Sequence, residues 1–200
     1  MPKVSCEFYL NTDVVQVAKD LLGKILFTYF DGEVTAGMIV ETEAYCGATD
    51  KACHAYPNKR TKRTETMFQI GGTAYVYFIY GMHAMFNVVT NQAEVADAVL
   101  IRAIEPIEGL EVMKNRRNLK NPGTNLTAGP AMLAKALGIT TAHDKTDLLG
   151  NQIWLEEGEK VYAFDEIIAS TRVGIEYAEE DALLPWRFRI KGNKWCSKAK

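Results

Sequence analysis

The chain has 200 residues, 48% hydrophobic and 24% charged, with a net charge of −2, which suits one globular domain around one core and argues against a disordered chain. No apolar run is long enough to cross a bilayer and "MPKVSCEFYL" lacks a signal-peptide profile, so a cytoplasmic protein without a membrane partner is expected. The four cysteines (Cys6, Cys46, Cys53, Cys196) have no CxxC spacing, which fits a reducing compartment rather than disulfides or a thiolate zinc site.

Along the chain, "NTDVVQVAKDLLG" (11–23) starts with capping residues, carries apolar residues at helical spacing and reaches a stop at Gly23, predicting a short helix. "KILFTYF" and "EVTAGMIVETEAY" flank Asp31-Gly32, a strong two-residue turn, and predict a β-hairpin. Residues 46–66 are polar, basic and without period, which reads as loop. "GGTAYVYFIYGMHAMFNVVT" (71–90) predicts two strands folding back near Gly81, and "DAVLIRAIEP" (97–106) a strand stopped by Pro106. "IEGLEVMKNRR" predicts a helix with a basic end. In "TAGPAMLAKALGI" Pro130 suits the first helical turn and Gly138 the exit. "QIWLEE", "IIASTRVGI" and "RFRIKG" are further strands. With no repeat and no linker, the fold class is α+β: a single domain over 1–200 with a mainly antiparallel sheet.

Charge is unevenly placed. Of 23 Lys and Arg, four lie in "KRTKR" (59–63), four in "KNRRNLK" (114–120) and six after Pro185, while acids collect at 156–159 and 176–181. A nearly neutral chain can in this way present a basic face to phosphates, although three solvated loops give the same pattern.

The chemically suggestive stretch is "IVETEAY" (39–45). An ideal strand puts Ile39, Glu41, Glu43 and Tyr45 on one face, with the two carboxylates about 7 Å apart at the backbone. Such a pair suits a metal or a division of acid and base roles; the plainer alternative is a half-exposed strand with solvated glutamates. Asp50, Lys51, Cys53 and His54 follow in "DKACHAYPNKR", without zinc-ligand spacing. P-loop, GxSxG, dinucleotide and deaminase signatures are missing. In strand phase Tyr75 and Tyr77 share a face and Tyr80 reaches the turn. Aromatic rings so placed stack on bases or wedge into a duplex, or else form a Tyr-rich core whose hydroxyls find local partners.

"DLLGKIL", "IVETEAYCGATDKACHAY", "MFQIGGTAYVYFIYGMHAMFNVVT", "AVLIRAIEP" and "LTAGPAMLAKALGI" occur here in the order seen in the alkyladenine (3-methyladenine) DNA glycosylase family, which the chain resembles from about Leu21 to "RVGI" and "WRFRIKGN". The resemblance implies a compact fold with a curved antiparallel sheet, flanking helices and a protruding β-hairpin. It implies a monofunctional DNA glycosylase, without metal or cofactor, acting as a monomer on double-stranded DNA that contains damaged purines. By matched motif Tyr80 is the intercalating side chain. Tyr45 on one side and Tyr77 with His54 on the other hold the extruded base, and Asn87 excludes the amino group of guanine. Glu43 is the general base, and Arg102 and the Val173 carbonyl help hold its water. His83 departs from the family pattern, where another aromatic is common, and receives no catalytic role. Two other classes remain as alternatives: a non-catalytic nucleic-acid-binding module, and a metal-dependent nuclease using Glu41, Glu43 and Asp50.

Overall fold

The structure, a computed structural model, describes residues 1–198. Its strands are β1 (Ile25–Phe30), β2 (Glu33–Cys46), β3 (Ala74–Ile79), β4 (His83–Thr90), β5 (Asp97–Glu108), β6 (Ile153–Glu156), β7 (Ile167–Ser170) and β8 (Arg187–Ile190). The helices are α1 (Cys6–Tyr9), α2 (Val14–Asp20), α3 (Leu110–Arg117) and α4 (Pro130–Leu137). All eight strands join one sheet in the order β3-β4-β5-β2-β1-β6, with β8 on β2 and β7 on β8, and each pairing is antiparallel. The α+β architecture expected from the sequence is the one observed.

Local signals explain most boundaries. Asp31 and Gly32 turn from β1 to β2 with φ of 54° and 82°, the left-handed pair that matches strand twist in a tight hairpin. The Asp13 side chain accepts from the Val15 and Gln16 amides at 3.0 Å and caps α2. Pro130 begins α4 and Gly138, with φ 76°, ends it. Helix α2 stops at Asp20, so Leu21–Gly23 form a turn beyond it.

Two strand expectations need correction. β5 passes through Pro106 and runs to Glu108, because Pro106 sits beside a register shift between Ala36 and Gly37 and β4 pairs with β5 only as far as Leu100; proline is tolerated at such bulges and unpaired flanks. "IIASTRVGI" is a strand only to Ser170, since β8 pairs just Ile167–Ser170.

β2 is the spine of the sheet. β5 lies along one side; on the other, β1 pairs Glu33–Met38 and β8 then takes over at Glu41–Glu43. Val17, Leu21, Leu26, Ile39, Phe86, Ile101, Ile104 and Leu133 are fully buried in the core on this sheet. Among the described residues no helix is long and apolar enough to cross a membrane.

Candidate active site

The register of β2 against β5 is broken twice where the acids stand. Ile39 pairs with Ile104 and Glu41 with Ala103, passing over Val40; Thr42 then pairs with Ile101, passing over Arg102. Each bulge re-aims the following side chains. It puts Ile39 out of phase with Glu41, correcting the ideal-strand reading, and places Arg102 against both carboxylates.

Glu41 and Glu43 are both 0% exposed, so the solvated-glutamate alternative does not hold. A buried carboxylate is tolerated only when paired and hydrogen-bonded, and each is, differently. Glu41 is enclosed: its oxygens meet Arg102 Nε at 2.8 Å, the Ser197 hydroxyl at 2.8 Å and amide at 2.5 Å, and Arg187 at 3.0 Å. Glu43 accepts from the Val173 amide at 2.9 Å on Oε1, and from the Tyr45 hydroxyl at 2.8 Å on Oε2, which also meets Arg102 Nη1 at 3.2 Å. A carboxylate offers about four lone-pair positions, so these donors leave one on Oε1. Glu43 lines a cavity of about 760 Å³ and Glu41 does not. The two glutamates are therefore not an acid–base couple facing one ligand.

Asp50, also 0% exposed, is gripped by Arg172 at 2.5 and 2.8 Å. Among the described residues no three His, Cys, Asp or Glu side chains converge as metal ligands, and the acids of the nuclease alternative are instead matched by guanidiniums.

The remaining cavity wall mixes aromatic and aliphatic side chains. Tyr45, Tyr75, Tyr77, His54 and Asn87 line it together with Arg102 and Val173, so every pocket residue expected from the motifs is brought together. Burial first, and the Glu43 charge second, push the Tyr45 hydroxyl well above its ordinary 10, keeping it a donor. His54 stands edge-on to Tyr77, ring centres 4.7 Å apart. Its Nε2 faces the Arg63 guanidinium at 3.0 Å and its Nδ1 the Tyr75 hydroxyl at 3.2 Å. Arg63 can only donate, so Nε2 accepts and the proton sits on Nδ1. Burial, and then the Arg63 charge, hold His54 down at about 4, so the imidazole is neutral at pH 7. Asn87, 3% exposed, donates to the Tyr75 carbonyl at 3.1 Å, which fixes its amide in the wall.

The hairpin of β3 and β4 carries the cavity outward. Ile79 pairs with His83, and Tyr80 and Gly81 turn the chain with φ of 53° and 68°. Tyr80 is 86% exposed and Met82 69%. A bulky residue in the left-handed region costs about 1–2 kcal/mol, and this one also exposes its ring to water, an arrangement without a folding rationale. His83 is exposed on the hairpin's return and does not line the cavity.

Sequence reasoning missed the supports. Arg172, Arg187 and Ser197 come from far along the chain to Asp50 and Glu41; "RVGI" and "WRFRIKGN" contain the two arginines, but nothing local identifies their carboxylate partners. The basic segments also divide: Arg187 is buried on Glu41, Arg116 bonds the Ala136 carbonyl at 3.3 Å, and Arg60 pairs with Glu94 at 2.9 Å, whereas Lys59 and Lys62 are exposed.

The family model for methylpurine-DNA glycosylase matches residues 7–194. A relative from Clostridium acetobutylicum is 50% identical over 202 residues, covering 98% of this chain and 97% of its own. One from Natranaerobius thermophilus is 47% identical over 197 residues, 98% of each chain. One from Chlamydia felis is 46% identical over 188 residues, 94% of this chain and 95% of its own. All three are provisionally named 3-methyladenine DNA glycosylase.

Proposed function

The chain belongs to the methylpurine-DNA glycosylase family, and from that premise we propose that it is a monofunctional DNA glycosylase of base excision repair. It turns an alkylated or deaminated purine out of duplex DNA and hydrolyses the N-glycosidic bond, leaving an abasic site. The observation that carries this reading is Glu43: a buried carboxylate with one open lone pair, in the wall of a partly aromatic cavity below a hairpin with an exposed ring. A module that only bound DNA would gain nothing from a carboxylate where an anionic ligand arrives.

In the mechanism, Tyr80 enters the duplex and fills the vacated stack. The extruded purine lies between Tyr45 and the Tyr77–His54 wall, and the amide of Asn87 stands against the amino group of a guanine. A water at the open position of Glu43 Oε1, held also by Arg102 and the backbone of Val173, gives its proton to Glu43 as its oxygen bonds to C1′. The C1′–N bond breaks and its electron pair leaves with the base. Alkylation at N3 or N7 makes the purine cationic and a good leaving group, so placing the water and the sugar supplies most of the rate. A neutral purine such as hypoxanthine leaves less readily, and protonating it assists departure.

The test is incubation with an end-labelled duplex holding one hypoxanthine or 7-methylguanine, with and without a chelator. Strand breaks that appear only after alkali, equally in both, are expected. Scission without alkali that the chelator abolishes would return the nuclease reading, and binding with no alkali-labile site on either lesion would leave a binding module.

A further inference from the structure

We propose that Arg172 sets the balance between cationic and neutral purines, acting through the ring of Tyr45. This rests on the glycosylase reading above, and adds Arg172 and Asp50, which that reading does not use. Tyr45 lines the cavity and Arg172 does not; the Arg172 side chain is 0% exposed. Its Cζ lies 4.8 Å from the Tyr45 ring centre and 5.2 Å from that of Trp186. The guanidinium is thus clamped between two rings, on the face of Tyr45 turned away from the cavity. Asp50 at 2.5 and 2.8 Å, the Ala44 carbonyl at 2.8 Å and the Asp181 carbonyl at 3.2 Å hold its plane.

A ring face attracts cations through its negative quadrupole. A cation already on one face draws that density toward itself and repels a second cation across the ring. A purine stacked on the far face of Tyr45 lies about 8 Å from Cζ. At an effective dielectric of about 20 a bare charge there disfavours a cationic base by about 30-fold, and the Asp50 carboxylate beside it in the guanidinium plane reduces this to about 1.5- to threefold. The opposite wall has the same sign, with Arg63 Cζ 5.2 Å from the Tyr77 ring. Arg63 is exposed and screened by salt, whereas Arg172 is not. Glu43 pulls the other way and favours a cationic base. Arg172 moderates that pull, so that neutral deaminated purines compete for the same pocket.

The experiment compares single-turnover excision of 7-methylguanine, cationic, with that of hypoxanthine, neutral, at saturating enzyme. The double substitution Asp50→Asn with Arg172→Gln removes both charges and keeps a hydrogen-bonding pair. The expected result is a 7-methylguanine to hypoxanthine rate ratio raised about 1.5- to threefold over the unsubstituted protein. A support that merely positions Tyr45 would slow both lesions alike, and an unchanged ratio in the folded variant overturns the inference. Tyr45→Leu provides a second decision if the double variant does not fold. A ring backed by Arg172 offers little cation–π attraction, so the neutral lesion should lose at least as much rate as the cationic one. A loss severalfold greater for 7-methylguanine also overturns it. Absence of excision by the unsubstituted protein on either lesion is instead a failure of the glycosylase reading.

Discussion

Replacing Glu43 by glutamine swaps one carboxylate oxygen for an NH₂ in a site built of donors. The Val173 amide at 2.9 Å from Oε1 cannot turn, so the remaining oxygen must face it. The NH₂ then occupies the Oε2 position, where the Tyr45 hydroxyl can rotate to accept but Arg102, at 3.2 Å, cannot. The open lone pair stays on an oxygen that no longer takes a proton. General base catalysis is worth about 10²–10⁴-fold and water placement adds to it, so excision of hypoxanthine should fall at least about 10³-fold. Arg102 keeps Glu41 at 2.8 Å, which limits the loss of stability to about 1–3 kcal/mol. Removing a negative charge beside the bound strand should leave DNA affinity equal or better. Glu41→Gln should give the reverse pattern. Glu41 faces two guanidiniums and Ser197 and does not line the cavity, and breaking a buried pair costs about 3–5 kcal/mol. At about 2–4 °C per kcal/mol for a chain of this size, its melting temperature should drop by about 6–20 °C. Its excision rate, measured well below that transition, should fall far less. Single-turnover cleavage, gel-shift affinity and thermal melting on both variants decide the matter. A Glu43→Gln rate within tenfold of the unsubstituted protein, or an equal rate loss in folded Glu41→Gln, would refute the reasoning.

Tyr80→Ala and Tyr80→Gly should both slow excision, more for a lesion in a stable pair than opposite a mismatch, because unstacking costs a few kcal/mol. The glycine variant should be more stable than the alanine variant by about 1 kcal/mol in chemical melts, since residue 80 has φ 53°; equal rate losses in both DNA contexts count against insertion of this ring. Asn87→Ser should raise excision of guanine derivatives relative to hypoxanthine, and unchanged rejection of guanine sinks that assignment. His54, held at about 4 against an ordinary 6.5, is neutral in the folded protein while the unfolded chain takes up a proton as pH falls through 6.5. Its contribution to stability is therefore complete above about pH 6.5 and is lost down to about pH 4, on the order of 3 kcal/mol. Melting temperatures of His54→Gln should show a shallower acid limb, and an identical limb refutes the claim. No lysine is among the described residues that line the cavity, so borohydride should trap no protein–DNA adduct; efficient trapping at a lysine means an amine nucleophile.

Features that depend on neighbours along the chain could be read from the sequence by itself. Asp31-Gly32 specifies its turn, Asp13 its cap, and Pro130 with Gly138 the limits of α4, because each acts through backbone geometry within a few residues. The motifs around Glu43, Tyr77 and Arg102 pointed to the family and to the residues that share the cavity. Strand phase and residue type could not separate Glu41 from Glu43, which are two residues apart on one strand and chemically identical; only the resemblance singled out Glu43. That difference comes from what the fold brings to each: the C-terminal segment delivers Arg187 and Ser197 to seal Glu41, while Val173 reaches Glu43 and leaves one lone pair without a protein donor. The same holds for the burial of both acids, for β5 passing through Pro106, and for Arg172 behind Tyr45. Burial and long-range pairing are properties of strands meeting across more than a hundred residues of chain, and only the closed sheet decides which donors reach which oxygen.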